Sequence, residues 1–491
     1  MIRLFSTTRH RKALLHILPI LALLMVGCDS ERVAQEKATD QPDIFPDYRG
    51  VTIPRSIAPL NFSVASAQHL QIEILNNESG KKLVAKGKEH VEMDIDCWHD
   101  LISQSDSILV NVSVWNEAHP EGITYGSFPI YLSNDSIDPW IMYRLIPPGY
   151  EGWNKMGIYQ RCLANFDERT ITDNSDNGRG CMNCHAACQG NPDNFMFHSR
   201  GENGGTVIQR NGEVYKVNLK SLEPGLQGSY NYWHPSARYI AFSSNTTMQG
   251  FMARSRDKIE GYDLRGDIIL YDVENNRVLC DDRFVGDATL ESFPSFSPDG
   301  KWLYFVSARP VNMPTEYEKL RYGILRVPFD ENTGQLGEVD TIFSADKMQR
   351  SAIIPRISPD GRYLMYSTSP TGALNLYHND SDLGMIDLQT DSLVDCTILN
   401  SPESESYHSW SRNGKWVIYS SKRIDGRFTR PYFTHWDGKG WSKPFLLPQQ
   451  DPKHNTLRMT AYNVPDFIIH PVQISRTRVR ELIAPTKSNK K

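Results

Sequence analysis

The second half of the chain repeats one pattern of polar and apolar positions. Tyr232–Phe242, Phe296–Phe305, Ile357–Tyr366 and Trp410–Tyr419 align by eye, each placing a polar turn ahead of an apolar run. Their turn positions, Ala237, Gly300, Gly361 and Gly414, are separated by 63, 61 and 53 residues. That spacing is one sheet-sized period with variable loops. In Ser297-Pro298-Asp299-Gly300 and Ser358-Pro359-Asp360-Gly361 the proline presets the first turn torsion, the aspartate bonds the backbone ahead, and the glycine accepts a positive φ. The run that follows, as in Trp302-Leu303-Tyr304-Phe305-Val306, is apolar at successive positions rather than alternating. A strand covered on both faces has this pattern.

Further strands are expected at Asp267–Val273, Tyr322–Val327 and Gly384–Leu388, with Phe195–Leu219 and Thr456–Phe467 supplying the rest. Sheets each buried between two neighbours predict a mainly β fold with a C-terminal β-propeller over 195–475, of five or six blades with six favoured. Ahead of it, Leu70–Leu75, Ile108–Trp115 and Phe128–Leu132 read as strands and Cys97–Ser103 as one or two helical turns. These predict a small β-sandwich-like domain over 51–150 without a catalytic constellation. Residues 151–194 read as a connector. The tail, 476–491, carries six basic residues and one acid and is expected to be solvated.

Composition narrows the function classes. A chain of 491 residues argues for about three domains. With 39% hydrophobic and 23% charged residues, a disordered chain or a multi-span membrane protein is excluded. A net charge of -5 gives no basic excess that would point to nucleic acid. At the N-terminus, Arg3, Arg9, Arg11 and Lys12 precede the apolar run Ala13–Val26, the layout of a secretory signal over 1–27. Met25-Val26-Gly27-Cys28 resembles the lipobox of bacterial lipoproteins. The resemblance implies lipidation of Cys28, a membrane anchor, and folded domains in the periplasm or at the outer surface of the cell envelope. Residues 28–50 then read as a flexible spacer.

Three of the eight cysteines fall between Cys181 and Cys188. In an exported chain, Cys181-Met182-Asn183-Cys184-His185 has the C-x-x-C-H spacing of covalent haem c attachment: two thiols for the vinyl groups and an adjacent imidazole for the iron. A zinc site from Cys181, Cys184, His185 and Cys188 is the alternative, although adjacent ligands strain one tetrahedral cage. An iron–sulfur cluster would need a fourth thiolate at other spacing. Met196 and His198 lie close enough in sequence to fold back as a distal ligand, while core packing is the ordinary role for both. Asp173–Gly178 resembles half a calcium loop, but Cys184 stands where the bidentate glutamate belongs, so a polar turn is expected. His234 and His408 precede turns and could line the propeller mouth, while structural hydrogen bonding is the ordinary role for both. Neither a G-x-S-x-G elbow nor a P-loop or dinucleotide fingerprint is present.

Gly180–His185, followed by Asn191-Pro192 and Phe197–Gly201 and then the repeats, is similar to a family of TolB-like β-propeller envelope lipoproteins carrying a C-x-x-C-H segment. The repeat departs from the family pattern at Ala237 and at Arg412-Asn413. The resemblance implies one covalently attached haem c on Cys181 and Cys184, with His185 as proximal iron ligand. It supplies no substrate. The expected role is electron transfer or redox sensing with the propeller docking an envelope or redox partner. The alternatives are a scaffold with a structural haem and a haem oxidoreductase with an open distal site.

Overall fold

The computed structural model describes residues 32–147, 155–251, 259–372 and 374–485. The signal segment and Cys28 lie outside the described residues. The chain is mainly β, and among the described residues no helix is long and apolar enough to cross a membrane.

Six antiparallel sheets follow one another from residue 140 onward. Each has one inner strand: β1 (Met182–Cys188), β2 (Ser229–Trp233), β3 (Leu290–Phe296), β4 (Ser351–Ile357), β5 (Glu405–Trp410) and β6 (Ala461–Ile468). Each inner strand touches the next, and β6 returns to β1, so the six form a closed ring. The successive apolar runs are the strands behind them. Tyr363–Ser369 and Trp416–Ser421 are buried at every position, because a neighbouring sheet covers each face. The repeated turns join the first two strands of a sheet. Ser297 Oγ donates to Asp299 Oδ1 at 2.6 Å and receives Trp302 N–H at 3.0 Å, while Gly300 takes φ 74°. Ser411 and Asn413 repeat the arrangement at 2.7 Å, an asparagine amide oxygen replacing the carboxylate.

The ring begins earlier than the repeats suggest. Trp140–Ile146 pairs antiparallel with β6, Trp140 opposite Ile468, so the C-terminal strand closes the ring against a segment expected in the preceding domain. Where a connector is expected over 151–194, Gly157–Cys162 and Glu168–Asp173 complete that first sheet, and β1 with Asn191–Ser199 opens the second. These strands lack the Ser-Pro-Asp-Gly turn, which is why the repeat did not reveal them.

The N-terminal part, where a small β-sandwich-like domain is expected, has a seven-stranded mixed sheet with helix α1 (Ile95–Ile102) packed on it and a separate two-stranded ladder, Ile44–Phe45 with Ser63–Val64. Asp94 caps α1 by accepting Cys97 N–H at 2.9 Å, and Trp98 donates to the Ile57 carbonyl at 3.0 Å. Its core is continuous with the ring: Ile72, Val112 and Phe128 share one cluster with Trp416, Phe433 and Phe467. The expected spacer is held from Glu36 onward, where Glu36–Lys37 pairs with Ile123–Thr124 and Ile44 and Tyr48 are buried. Apolar residues at 44, 48 and 51 outweigh the polar composition of the segment.

The basic tail also docks. Arg476–Ile483 forms helix α2, capped by Ser475, with Val479 and Ile483 buried one turn apart. Its arginines explain the acidic turn at 173–178. Asp176, with a fully buried side chain, accepts from Arg476 Nε at 2.8 Å, Arg480 Nη2 at 2.8 Å and Thr172 Oγ1 at 3.0 Å, and Arg476 also reaches Asp173. Without Asp176 both arginines stay partly solvated, so the loss is that of the hydrogen bonds rather than of a stranded buried charge. Asp176→Ala is therefore expected to cost about 1–2 kcal/mol in urea unfolding and to speed amide exchange throughout α2.

Candidate functional site

Each inner strand breaks its ladder beside the cavity, and β1 breaks it a second time between Ala187 and Cys188. Pairing with the neighbouring strand shifts between Asn183 and Ala186, Ser229 and Tyr232, Ser292 and Ser295, Ile353 and Arg356, and Ser406 and His408, and opposite β6 between Met142 and Arg144. One non-glycine residue at each break adopts a left-handed conformation: Cys184 (φ 52°), Tyr230 (45°), Phe293 (49°), Ile354 (56°), Tyr407 (30°) and Val464 (51°). A bulge of this kind kinks the strand and re-aims a side chain. All six residues line a single cavity of about 1380 Å³ on the ring axis.

The C-x-x-C-H motif lies on this wall. Cys181, Cys184 and His185 all line the cavity, and both thiols are free. Cys184 is the bulge residue of β1. Its sulfur receives Tyr230 N–H at 3.4 Å and its carbonyl receives Asn231 Nδ2 at 2.6 Å, and burial pushes its thiol above the ordinary value. His185 is 3% exposed, and its Nε2 lies 2.9 Å from the Val464 carbonyl. A carbonyl only accepts, so the bond fixes the tautomer with the proton on Nε2. Burial, reinforced by Arg144, lowers the imidazole pKa to about 3 and keeps the ring neutral. Its buried Nδ1 has no hydrogen-bond partner. Asn231 stands at the same place in β2 and makes the same bond, to the bulge carbonyl of the strand before it.

The other expected ligands do not join this group. Met196 packs with Cys188, Ile208 and Trp233 between the second and third sheets. His198 is bonded through Nδ1 to Thr206 Oγ1 at 3.1 Å. Neither lines the cavity, because the strand carrying them runs behind β1 and their side chains meet its other neighbours. Cys188 directs its sulfur to the His234 carbonyl at 3.4 Å, and both it and Cys162 are free thiols. Among the described residues, no group of three or more His, Cys, Asp or Glu side chains is placed to hold a metal ion, so the four-ligand zinc arrangement is not formed. His234 is satisfied by Ser236 at 2.7 Å and the Gly300 carbonyl at 3.1 Å. His408, 3% exposed, is on the cavity wall, and neither of its ring nitrogens makes the expected structural hydrogen bond.

Several wall residues were not singled out from the sequence: Arg144, Tyr230, Phe293, Arg356, Tyr407 and Asp466. A signal for four of the bulge residues was present. Tyr230, Phe293, Ile354 and Tyr407 each lie four positions before the first residue of an aligned turn, His234, Ser297, Ser358 and Ser411. Arg356 stacks on Tyr232, its Cζ 4.7 Å from the ring centroid. Asp466 receives the Ser409 hydroxyl, and burial raises its carboxyl pKa to about 6.

The ring of sheets is a propeller scaffold. No protein-family model and no curated protein sequence matches the chain. Solved structures similar to it include a luciferin-regenerating enzyme (10% identity, TM-score 0.39, 62% of this chain and 94% of that one). The β-propeller domain of the Trilobed protease from Pyrococcus furiosus is similar at 11% identity and TM-score 0.35, over 71% of this chain and 94% of that one. A putative 6-phosphogluconolactonase from Bacteroides fragilis is similar at 12% and 0.31, over 82% and 97%. At these scores they carry no ligand or mechanism to this chain.

The raised carboxyl sets a pH dependence. The folded chain holds the Asp466 proton more tightly than the unfolded chain, so its contribution is full below about pH 4 and is lost as pH rises through about 6. Between pH 4 and 7 the wild type is expected to lose stability relative to Asp466→Asn, as read by urea unfolding at both pH values. Parallel curves would contradict this assignment.

Proposed function

We propose that the chain is an envelope lipoprotein, anchored through Cys28, whose six-bladed propeller carries one haem c in its axial cavity for electron transfer or redox sensing. The observation that carries the reading is that Cys181, Cys184 and His185 share the wall of one cavity. Three properties of that wall fit the group. Both thiols are free and face the axial space. The imidazole is neutral, oriented through one nitrogen by a backbone carbonyl, with the other nitrogen lacking a partner. Metal-binding histidines are characteristically held this way through the nitrogen that does not bind the metal. The cavity, at about 1380 Å³, is large enough for a macrocycle with room beside it.

Cys181 and Cys184 would hold the haem by thioethers, and His185 would face its iron. When bound, the group would supply one-electron redox chemistry. The protein's own work is to keep the imidazole neutral and fixed, to exclude bulk water along the apolar part of the wall, and to present the outer faces of the ring to a partner.

A second reading, a haem-free scaffold, is favoured by the equivalence of His185 and Asn231, since an interstrand bond alone accounts for the histidine. The two are separated by the intact mass and the pyridine haemochrome spectrum of chain made in cells able to attach haem c. One haem per chain, lost in Cys181→Ala/Cys184→Ala, is expected. A mass without that increment would leave the scaffold. On the scaffold reading His185→Asn is expected to keep its stability, whereas His185→Ala loses about 1 kcal/mol in urea unfolding.

A further inference from the structure

Arginines packed into the sheets of this fold meet two or more protein acceptors, although the buried Nε of Arg161 has none. Arg430, 1% exposed, gives its guanidinium to the carbonyls of Asn455, Thr460, Arg458 and Thr429 at 2.7 to 3.1 Å. Arg161, 2% exposed, donates to Gln449 Oε1 at 2.8 Å and to the Pro448 carbonyl at 2.7 Å. Arg423 meets Glu405 at 3.1 Å and the Leu399 carbonyl at 2.5 Å.

Two arginines on the cavity wall break this rule. Arg144 donates one bond, from Nη1 to the Met182 carbonyl at 3.3 Å, and its buried Nε has no partner. Arg356 donates one, from Nη1 to the Pro355 carbonyl at 3.0 Å. Among the described residues neither makes a salt bridge. A guanidinium carries five N–H donors, so most of the donors on each are without a protein acceptor. Both are partly exposed on the wall, where a charge with few protein partners favours an anionic ligand. Burial pulls the Arg356 guanidinium below its ordinary value, opposed only by Tyr232, Asp466 and Tyr407. Both arginines act electrostatically on the Tyr407 hydroxyl, which places that residue in the field of the pair. Tyr230, Tyr232 and Phe293 add flat apolar surface to the same wall.

We infer that Arg144 and Arg356 form a carboxylate-binding subsite around Tyr407, for an organic acid with a flat apolar body seated against the aromatic part of the wall. The planar fork of each arginine matches a carboxylate. Asp466, close enough to act on Arg356, favours a singly charged acid group over a phosphate dianion. The subsite stands on the cavity itself and goes beyond the haem reading. Its carboxylate comes either from a bound cofactor's own side groups or from a free acid, and the test separates the two sources.

The thiol-free full chain, Cys181→Ala/Cys184→Ala, is titrated calorimetrically with benzoate, with inorganic phosphate as the comparison anion. Saturable one-to-one binding of benzoate, weaker binding of phosphate, and about a tenfold or larger loss of benzoate affinity in Arg144→Gln and in Arg356→Gln are expected. Near-ultraviolet circular dichroism confirms that each variant retains its packing. Arg412→Gln, also on the wall but bonded through its backbone to Asp138, is expected to leave the affinity within about threefold. No saturable binding, or affinity unchanged in both glutamine variants, overturns the inference. If the wild-type chain carries haem and no longer binds benzoate, the subsite belongs to the cofactor's carboxylates; if binding persists, it belongs to a free acid. Absence of haem from the wild type would end the haem reading alone, because benzoate binding to the thiol-free chain decides the subsite independently.

Discussion

The left-handed bulge in each inner strand is the constraint on which the centre of this molecule depends. A regular strand would alternate its side chains between the two faces of its sheet. One extra residue at positive φ turns a side chain to the axis instead, and six such turns build the wall around one cavity. The residues that accept the strain are not glycines. Ile354 and Val464 are β-branched, for which positive φ is an outlier that costs about 1–3 kcal/mol each. A cost repeated around the ring persists only because the surrounding sheets, buried on both faces, over-determine the backbone.

Bonds between adjacent bulges tie the ring together where the ladder is interrupted. His185 reaches the Val464 carbonyl across the closing junction and Asn231 reaches the Cys184 carbonyl at the next, so each satisfies an acceptor that the bulge would otherwise orphan. The closing junction carries the most support. β6 is paired with Trp140–Ile146, α2 is clamped to the acidic turn by Arg476 and Arg480, and the N-terminal sheet shares its core with the fifth and sixth inner strands' sheets. Chain termini are commonly the first parts to fray. Here the last strand and helix of the described residues are built into the closure of the ring.

Charge is distributed unevenly over this frame. On its outside, arginines meet carboxylates or several carbonyls, as in Arg458 with Glu168 at 3.0 Å and Arg362 with Asp387 at 2.7 Å. On the cavity wall, Arg144 and Arg356 have one acceptor each, Asp466 is poised near pH 6, and the His185 Nδ1 is alone. Charged and polar groups with few protein partners around one enclosed space are what a ligand site offers.

The sequence by itself determined the mainly β class, the repeated turn and the strands behind it, because the Ser-Pro-Asp-Gly turn and its doubly buried run are local features read from neighbouring residues. It also marked Cys181, Cys184 and His185 as belonging together. Only the tertiary structure decided where that motif sits. The first two sheets lack the turn signature, so the segment expected as a connector gave no local sign of being strand. The basic tail and the polar stretch after residue 36 likewise took order from partners far away in the chain, Asp176 for one and the N-terminal sheet for the other. The companions of the thiols, Arg144, Tyr407 and Arg356, come from three different sheets. Their convergence follows from ring closure and a backbone strain that no single segment encodes.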